Sequence, residues 1–374
     1  MEQFSNKENR LGETVLEIDL GALAHNYHYF KKRLRPTTKF LGVVKAFAYG
    51  SDSIVVAKCL EDLGIDYLAV AYLKEGMALR EAGIKLPILV LHPLPISFED
   101  IIKHDLEPSL YSPKILEKFL LKARELKKKA YPVHLKFNTG LNRLGLQQSD
   151  IKDVARQLNE SEEIKMVSVF SHLAASEDMN EKEFTLGQIE RFCQIMEEVT
   201  LRLKSRPFRH ILNTSGIINY PEAQFEMVRS GIGLYGFGND ARIDGDLQPV
   251  ATLKTVISQI HDIEPGESIG YNRAFISDRP KKTATLPLGH ADGIGRQYGG
   301  GNTYVTINGQ SALIIGNVCM DMIMVDITNI PCEVGDEVIV FGADPTAEQF
   351  ARTASTISYE ILTGISQRVK RVIR

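Results

Sequence analysis

Short apolar runs alternate with amphipathic stretches along the first two thirds of the chain. Segments such as IVVAKCLEDLG and ILEKFLLKARELKKK place apolar residues at helical spacing between the runs. Eight apolar runs occur in order: FLGVVKA, DYLAVAY, PILVLHP, EPSLY, VHLKF, KMVSVFSHL, RHILN and MVRSGIGLYG. Strands that alternate with helices form parallel sheets, and eight such units close into a barrel. The pattern therefore predicts an α/β fold, a (β/α)8 TIM-type barrel over residues 14–245.

A further helix is predicted ahead of the first barrel strand. Residues 19–33 place Leu20, Leu23, Tyr27 and Phe30 at helical spacing, behind Asp19 as the N-cap. No helical pattern follows the eighth strand. We therefore expect the helix at 19–33 to take the vacant place in the outer ring.

The pattern changes near Asp246, where short alternating strands separated by turns begin. Examples are ATLKTVISQIHDI, TATLPLGH and SALIIGNVCMDMIMVDI, and only the segment from Thr346 to Ile365 returns to helical spacing. These features predict a mostly β C-terminal domain over residues 246–374. Because no Gly/Ser or Pro linker precedes it, we expect the two domains to pack as fixed units.

Composition narrows the class of ligand and the compartment. Of the 374 residues, 44% are hydrophobic and 24% are charged, and the formal net charge of −3 offers no basic surface for nucleic acid or anionic lipid. We therefore expect a small-molecule substrate. The cysteines form no CxxC pair, so neither a metal site nor a disulfide framework is predicted. The polar start and the lack of a long apolar run predict no export signal and no membrane span, which together with reduced cysteines favours the cytoplasm. The four cysteines are Cys59, Cys193, Cys319 and Cys332.

Lys45 stands at the carboxyl end of the first barrel strand, in KFLGVVKAFAYG. A buried charged lysine is costly, so such a residue either reaches solvent or serves as a reactive amine. Tyr49, four residues later, can direct a hydroxyl at the same mouth. Because the active sites of these barrels lie where the strands end, Lys45 is the candidate reactive amine.

Other polar residues fall at the ends of later strands. Taken singly, each has an ordinary structural interpretation as a helix cap, a surface ion-pair partner or a hydrogen-bonded core residue. Together they place lysine, arginine, histidine and loops suited to phosphate on one rim. They are Lys136, Arg143, His172, Asn213, Thr214, Arg229 and Gly231.

This set has a chemical logic if the cofactor is pyridoxal 5'-phosphate. The Lys45 amine would form a Schiff base with the aldehyde, while backbone N–H groups around Gly231 and Ile232 and the hydroxyls of Tyr49 and Thr214 would hold the phosphate. An arginine beside the ring nitrogen can only donate, so it would keep that nitrogen unprotonated and weaken the cofactor as an electron sink. A weaker sink suits a reaction that returns a proton to the same carbon.

Eight strings, in order and across both predicted domains, resemble the motifs of the alanine racemases. They are VVKAFAYG, NTGLNRLG, FSHLAASED, HILNTSG, RSGIGLYG, GESIGYN, NVCMDM and TISYEIL. One string would be weak evidence, whereas eight in order are specific. The resemblance runs from about residue 14 to the end and implies a pyridoxal-phosphate isomerase that interconverts L-alanine and D-alanine. It also implies D-alanine supply to a bacterial cell wall and a head-to-tail homodimer whose active sites each draw on both chains.

The resemblance implies roles for individual residues. Lys45 resembles the Schiff-base lysine and one of two acid/base groups, and Tyr271 resembles the second, which reaches in from the partner subunit. Two bases on opposite faces suit racemisation because one removes the α-proton and the other returns it. His172 is similar to the histidine that assists this tyrosine, Arg229 to the contact of the ring nitrogen, and His210 to the residue that orients Arg229.

Binding roles follow from the same strings. Arg143 resembles the group that meets the cofactor phenolic oxygen and the substrate carboxylate, Met320 the backbone donor to that carboxylate, and Asp321 its neighbour in the entrance. Lys136 aligns with a lysine that is often carbamylated in the family, and a plain lysine paired with a carboxylate remains the alternative. The remaining cofactor contacts are assigned to Tyr49, Asn213, Thr214, Gly231, Ile232 and Tyr359.

Three positions depart from the family pattern near the entrance. Phe47 stands where asparagine is common, Asn138 where aspartate is common, and His290 where a tyrosine is common. They bear on side-chain preference, so an amino-acid racemase of broader specificity is an open alternative. A non-catalytic pyridoxal-phosphate-binding barrel is a second, against which the β domain counts, and a decarboxylase of the same architecture is a third.

Overall fold

The computed structural model describes residues 13–203 and 206–374 and divides into two compact units. The first unit, called the barrel unit below, comprises residues 23–48 and 52–248. The second, called the β unit, comprises residues 13–22, 49–51 and 249–374. None of the helices within the described ranges combines the length and the hydropathy that crossing a membrane requires.

Eight parallel strands form the sheet of the barrel unit. After β1 (Val15–Ile18), which belongs to the β unit, they are β2 (Lys39–Val43), β3 (Tyr67–Val70), β4 (Ile88–Val90), β5 (Glu107–Leu110), β6 (Tyr131–Lys136), β7 (Ile164–Phe170), β8 (Phe208–His210) and β9 (Met227–Ser230). Each pairs in parallel with its sequence neighbour from β2 to β8, and β9 pairs with β2. The amide of Arg229 donates to the carbonyl of Leu212 at 3.1 Å, which joins the last two strands. The predicted barrel is confirmed, because every predicted strand is one of these eight.

Helices alternate with these strands and are capped as the sequence suggests. Asp52 accepts the amides of Ile54 and Val55 at 3.0 Å each, and Ser112 accepts that of Ile115 at 3.3 Å. The helices between residues 20 and 244 are Leu20–Lys31, Ser53–Asp62, Leu73–Glu81, Phe98–Lys103, Pro113–Glu125, Ile151–Glu160, Lys182–Arg202, Thr214–Asn219 and Ala241–Asp244.

The helix predicted over 19–33 forms as Leu20–Lys31, and Asp19 accepts the amide of Ala22 at 2.9 Å. Asn26, on this helix, donates to the carbonyls of Leu234 at 3.1 Å and Gln248 at 2.7 Å. The helix therefore packs against the segment that follows β9, which is the position expected for the missing outer helix.

The β unit is built on a nine-stranded sheet with a separate two-stranded ribbon. Its further strands are β10 (Ala251–Val256), β11 (Gln259–Ile263), β12 (Ser268–Ile269), β13 (Phe275–Ile276), β14 (Lys281–Leu286), β15 (Tyr304–Ile307), β16 (Gln310–Ile315), β17 (Ile323–Asp326), β18 (Glu337–Phe341) and β19 (Lys370–Ile373). The large sheet has the order β11-β14-β17-β16-β15-β18-β10-β1-β19, and β12 pairs with β13. The helices Ala347–Arg352 and Ser358–Gly364 precede the last strand. A mostly β C-terminal region is therefore present.

The first strand lies in a different unit from the one we expected. The predicted barrel domain begins at residue 14, but β1 pairs antiparallel with β10 and parallel with β19. The reason is burial on both faces, since all four residues of β1 are buried and the Glu17 carboxylate is matched by Nζ of Lys254 at 3.2 Å. A four-residue apolar run carries no signal for which sheet it joins, so only the tertiary pairing decides this.

Candidate active site

Lys45 follows β2 and opens a turn with an unusual backbone. Ala46, Phe47 and Ala48 have φ angles of 53°, 55° and 52°, which place three residues that carry side chains in the left-handed region. Each such residue costs roughly 1–2 kcal/mol relative to a right-handed conformation. Strain of this kind persists only where the surroundings enforce it, and it clusters at functional sites. The turn is therefore a structural mark of the site around Lys45.

The carboxylate of Glu75 holds this turn against the end of β3. It accepts the amide of Ala46 at 2.7 Å, that of Ala71 at 2.6 Å and that of Tyr72 at 3.1 Å. Three charge-assisted hydrogen bonds to one carboxylate fix both loops at once. The negative charge of Glu75 also raises the pKa of Lys45, against two stronger influences that lower it.

Five basic side chains influence one another at the carboxyl ends of β2, β6, β7 and β9. Burial and the charge of Arg143 lower the pKa of the Lys45 amine. Burial, followed by the charges of Arg143, Arg229 and Lys45, lowers the pKa of Lys136 to about 8. Burial and the charges of the same groups hold the pKa of His172 well below its ordinary value. This concentration of positive charge suits a ligand that carries several negative charges.

Arg229 is the most enclosed of these cations, with 4% of its surface exposed. It donates to Nδ1 of His210 at 2.8 Å, to Nδ1 of His172 at 3.1 Å and to the carbonyl of Ser171 at 2.7 Å. Burial lowers its pKa to about 9, so the guanidinium stays charged at neutral pH. Burial and the Arg229 charge also hold the pKa of His210 well below its ordinary value. Both histidines are therefore neutral acceptors of Arg229.

Thr214 organises a pair of loops at the ends of β8 and β9. Its Oγ1 lies 3.3 Å from the amides of both Gly231 and Gly233 and 3.1 Å from Oγ of Ser230. Asn213 caps the helix Thr214–Asn219 by accepting the amide of Gly216 at 2.9 Å. A Cβ at Gly233 would lie 2.5 Å from the Phe30 ring and 2.6 Å from Cγ2 of Thr214, so only glycine allows this approach.

Comparisons with known proteins agree with this geometry. Residues 18–238 match the family model for the alanine racemase N-terminal domain, and residues 250–373 match that for the C-terminal domain. Alanine racemase 2 of Caldanaerobacter subterraneus subsp. tengcongensis is 37% identical over 368 residues, which cover 96% of this chain and 94% of that protein.

Solved structures with the same fold include alanine racemase of Clostridium difficile 630, with a TM-score of 0.89, 36% identity and coverage of 96% of this chain and 95% of that one. The chain belongs to the alanine racemase family. Another structural neighbour is the alanine racemase of Bartonella henselae with covalently bound pyridoxal phosphate, with a TM-score of 0.90, 27% identity and coverage of 97% and 100% of the two chains. The predicted family is confirmed.

The barrel unit of this alanine racemase family member fits pyridoxal phosphate by its donor set. Lys45, Lys136, Arg143 and Arg229 supply positive charge at one end of the barrel. Among the described residues, the backbone amide of Ile232 has no hydrogen-bond acceptor. Ile232 is buried, and the amides of Gly231 and Gly233 on either side of it donate to Oγ1 of Thr214. An amide of this kind matches a phosphate oxygen as acceptor.

The remaining candidate residues of the racemase pattern belong to the β unit. Tyr271 is 72% exposed, on a loop where Asn272 and Arg273 also have positive φ angles of 59° and 51°. The rings of Tyr49 and Tyr359 lie 5.9 Å apart. Met320 is 58% exposed, and Asp321 next to it is paired with Arg368 at 2.7 Å.

Glu75 of the barrel unit and Arg368 of the β unit carry no signal in the racemase motifs. Glu75 lies in the amphipathic helix Leu73–Glu81 and resembles an ordinary surface carboxylate. Arg368 lies in the basic end QRVKRVIR, where the sequence predicts only a solvated charge. In the structure it donates two hydrogen bonds to the Asp292 carboxylate, at 2.6 and 2.9 Å. Of the departures from the family pattern, Asn138 has a structural role, because its Oδ1 accepts the amides of Gly140 at 3.1 Å and Asn142 at 3.0 Å.

Proposed function

We propose that this protein interconverts L-alanine and D-alanine with pyridoxal phosphate attached to Lys45, using Lys45 and Tyr271 as the two proton-transfer groups. The proposal rests on the cluster of Lys45, Lys136, Arg143, Arg229 and His172 at one end of the barrel. The positive charges of this cluster help to lower the pKa values of Lys45, Lys136 and His172. The cofactor bound to the Bartonella henselae relative supports the same assignment. When bound, pyridoxal phosphate withdraws electrons from the amino acid and so acidifies its Cα–H bond.

Lys45 is suited to attachment of the cofactor because its lowered pKa leaves more of the amine neutral and nucleophilic. The strained turn and the Glu75 carboxylate then hold the side chain at the mouth of the barrel. Lys45 removes the α-proton from one face of the amino acid in one direction of the reaction. In the reverse direction it returns a proton to the same face.

Tyr271 supplies the proton transfer on the other face, and we infer that it does so in the partner subunit of a homodimer. The Tyr271 side chain is 72% exposed in a single chain, whereas a catalytic tyrosine needs an enclosed setting. The exposure therefore supports a role in which the partner subunit encloses the side chain. His172 accepts from Arg229 through Nδ1, so its proton lies on Nε2. That N–H is a donor which can stabilise the tyrosine oxygen when it loses its proton.

The cofactor would be held at three points by residues of this chain. Arg229 would meet the ring nitrogen, and its inability to accept a hydrogen bond would keep that nitrogen unprotonated. Arg143 meets the phenolic oxygen and the substrate carboxylate, which Met320 and Asp321 also approach. The phosphate would be held by Tyr49, Thr214, Gly231, Ile232 and Tyr359, of which the amide of Ile232 is the clearest donor, and Asn213 would be a further cofactor contact.

Two finer proposals accompany the activity. We propose that Lys136 carries a carbamate, because a buried amine with a pKa near 8 between three cations gains from a negative charge. We also assign the protein to the cytoplasm, since its four cysteines are unpaired in the structure.

The activity is tested by measuring D-alanine formed from L-alanine, with serine and lysine as competing substrates. We expect alanine to be the fastest substrate, and equal rates on all three would favour the broader racemase. Release of carbon dioxide would indicate a decarboxylase. Lys45→Ala should remove both turnover and the visible absorption of the bound cofactor, and absorption without turnover in the wild type would indicate a non-catalytic carrier.

The shared site is tested by mixing two inactive chains, Lys45→Ala and Tyr271→Ala. One of the two sites in a mixed dimer then holds both groups, so partial activity should return. No recovery after proven subunit exchange would place both bases on one chain.

A further inference from the structure

A continuous line of buried polar groups crosses the interior of the barrel below Arg229. Nε2 of His134 lies 2.7 Å from the carboxylate of Glu107, and Nδ1 of His134 lies 2.6 Å from Oγ of Ser168. The same Oγ lies 2.8 Å from Nε2 of His210, whose Nδ1 lies 2.8 Å from Nη1 of Arg229. The five residues stand on β5, β6, β7, β8 and β9 in order. We refer to Glu107, His134, Ser168 and His210 as the buried relay.

Burial makes every hydrogen bond of the relay consequential. His134, Ser168 and His210 have no exposed surface, and Glu107 is 9% exposed. A buried polar group without a hydrogen-bond partner destabilises the folded protein by about 1–3 kcal/mol. Such a line is therefore stable only if each donor meets an acceptor. Tyr67 adds a hydrogen bond to the Glu107 side chain, and its ring meets that of His134 edge to face at 6.1 Å. Glu107 is thus held in one position.

The two ends of the line fix the direction of every bond in it. A guanidinium only donates and an ionised carboxylate only accepts. Arg229 therefore donates to Nδ1 of His210, whose Nε2–H donates to Ser168. The Ser168 hydroxyl in turn donates to Nδ1 of His134, whose Nε2–H donates to Glu107. Each ring then carries one proton, on Nε2, and each is neutral.

Arg229 has no carboxylate partner of its own. Within the described residues its hydrogen bonds go to the rings of His172 and His210 and to backbone carbonyls. The buried cation is instead linked to the Glu107 carboxylate through two imidazoles and a hydroxyl. A reversed line would place a His210 N–H against an Arg229 N–H, and one donor would lose its acceptor.

We propose that Glu107 is a positioning residue: acting through the buried relay, it accepts the last N–H of the line and so holds His210, and through it Arg229, in place, while Arg229 keeps the His210 proton on Nε2. The contribution of the relay to the reaction rests on the proposed function, in which Arg229 meets the cofactor ring nitrogen. The proton positions themselves do not depend on that function.

The first test is nitrogen NMR of the full-length protein labelled with 15N-histidine, with and without pyridoxal phosphate. The His210 signals are assigned by their loss in His210→Gln, and those of His134 by their loss in His134→Gln. We expect both rings to be neutral and protonated on Nε2. A His210 proton on Nδ1, or a His134 ring protonated on both nitrogens, would overturn the relay whether or not the protein racemises alanine.

Glu107→Gln tests the carboxylate itself. Glutamine can donate as well as accept, so the direction of the bond to His134 is no longer imposed at this end of the line. We expect His134 to become a mixture of the two neutral forms, while Arg229 keeps the His210 proton on Nε2. If the His134 spectrum of this variant equals that of the wild type, Glu107 does not set the proton position at its end of the line and the proposal is wrong.

Ser168→Ala tests the contribution to the reaction, with Ser109→Ala as the matched control. Ser109 is also a fully buried serine of the barrel, on β5, but its hydroxyl has no hydrogen-bond partner among the described residues. We expect Ser168→Ala to leave the His210 Nε2–H without its acceptor, to mix the two neutral forms of His134, and to lower kcat about tenfold while KM for alanine is unchanged. Ser109→Ala should leave both unchanged. A normal kcat in a folded Ser168→Ala enzyme would show that the relay does not serve the reaction.

Discussion

Nη2 of Arg229 lies 3.1 Å from Nδ1 of His172. Because the guanidinium can only donate, Nδ1 of His172 is an acceptor and the single ring proton is on Nε2. Arg229 thus determines which nitrogen of His172 can donate, and in the proposed mechanism that nitrogen faces the tyrosine of the partner subunit. The same cation also opposes protonation of the ring.

The lowered pKa values of His172 and His210 predict a loss of stability in acid. Both rings stay neutral in the folded protein, whereas in the unfolded chain each takes up a proton below about pH 6.5. The unfolded state then binds more protons, so this stability is present above about pH 6.5 and is lost as the pH falls below it. Each histidine contributes a slope of about 1.4 kcal/mol per pH unit.

Urea unfolding at a series of pH values and one protein concentration measures this slope. We expect His172→Gln to flatten it below about pH 6.5, while the exposed His261→Gln retains the wild-type slope. Equal slopes in all three proteins would contradict the prediction.

Lys136 should react with carbon dioxide more readily than other lysines. Carbamate formation needs a neutral amine, and its pKa near 8 leaves more of this form at neutral pH than an ordinary lysine with a pKa of about 10.4. In 13C-bicarbonate, the wild type should show a carbamate carbonyl resonance by NMR that Lys136→Ala lacks. Lys165→Ala, which removes an exposed lysine from β7, serves as the control and should keep the resonance.

Removing the Glu75 carboxylate should release the turn after Lys45. Glu75→Ala leaves the amides of Ala46, Ala71 and Tyr72 without their acceptor, so we expect a loss of about 1–3 kcal/mol in the free energy of unfolding. The weaker hold on the strained turn should also lower the fraction of protein that binds pyridoxal phosphate, measured by its visible absorption. Glu81→Ala, on the exposed face of the same helix, should change neither quantity.

Arg368 should matter for substrate binding more than for proton transfer. It joins Asp292 to Asp321, and the amide of Ala291 donates to the carbonyl of Met320 at 3.0 Å. We expect Arg368→Ala to raise KM for alanine about tenfold, with a smaller change in kcat. Arg352→Ala removes an exposed arginine that pairs with Glu348 and is the control. A fall in kcat at unchanged KM would contradict this assignment.

Much of the fold follows from local patterns. The eight barrel strands and the helix Leu20–Lys31 were predictable because period and capping are properties of a few consecutive residues. The pairing of β1 with β10 and β19 was not, since those partners lie more than two hundred residues along the chain. Local sequence carries no register for such distant strands.

The candidate site divides in the same way. The motif strings were enough to nominate Lys45, His172 and Arg229, because each stands in a short stretch of characteristic residues. Glu107, His134 and Ser168 stand in runs that read only as buried strands. Their polarity has a meaning only when neighbouring strands bring them within hydrogen-bond distance.

The sequence by itself determined the family, the barrel with its β-rich partner unit, and the chemical types of the residues at the strand ends. The tertiary structure alone decided that Glu75 holds the turn of Lys45 and that a line of hydrogen bonds leads from Glu107 to Arg229. The physical reason is that strand and helix periods are local, whereas proton positions and pKa values depend on burial and on charges that distant segments supply.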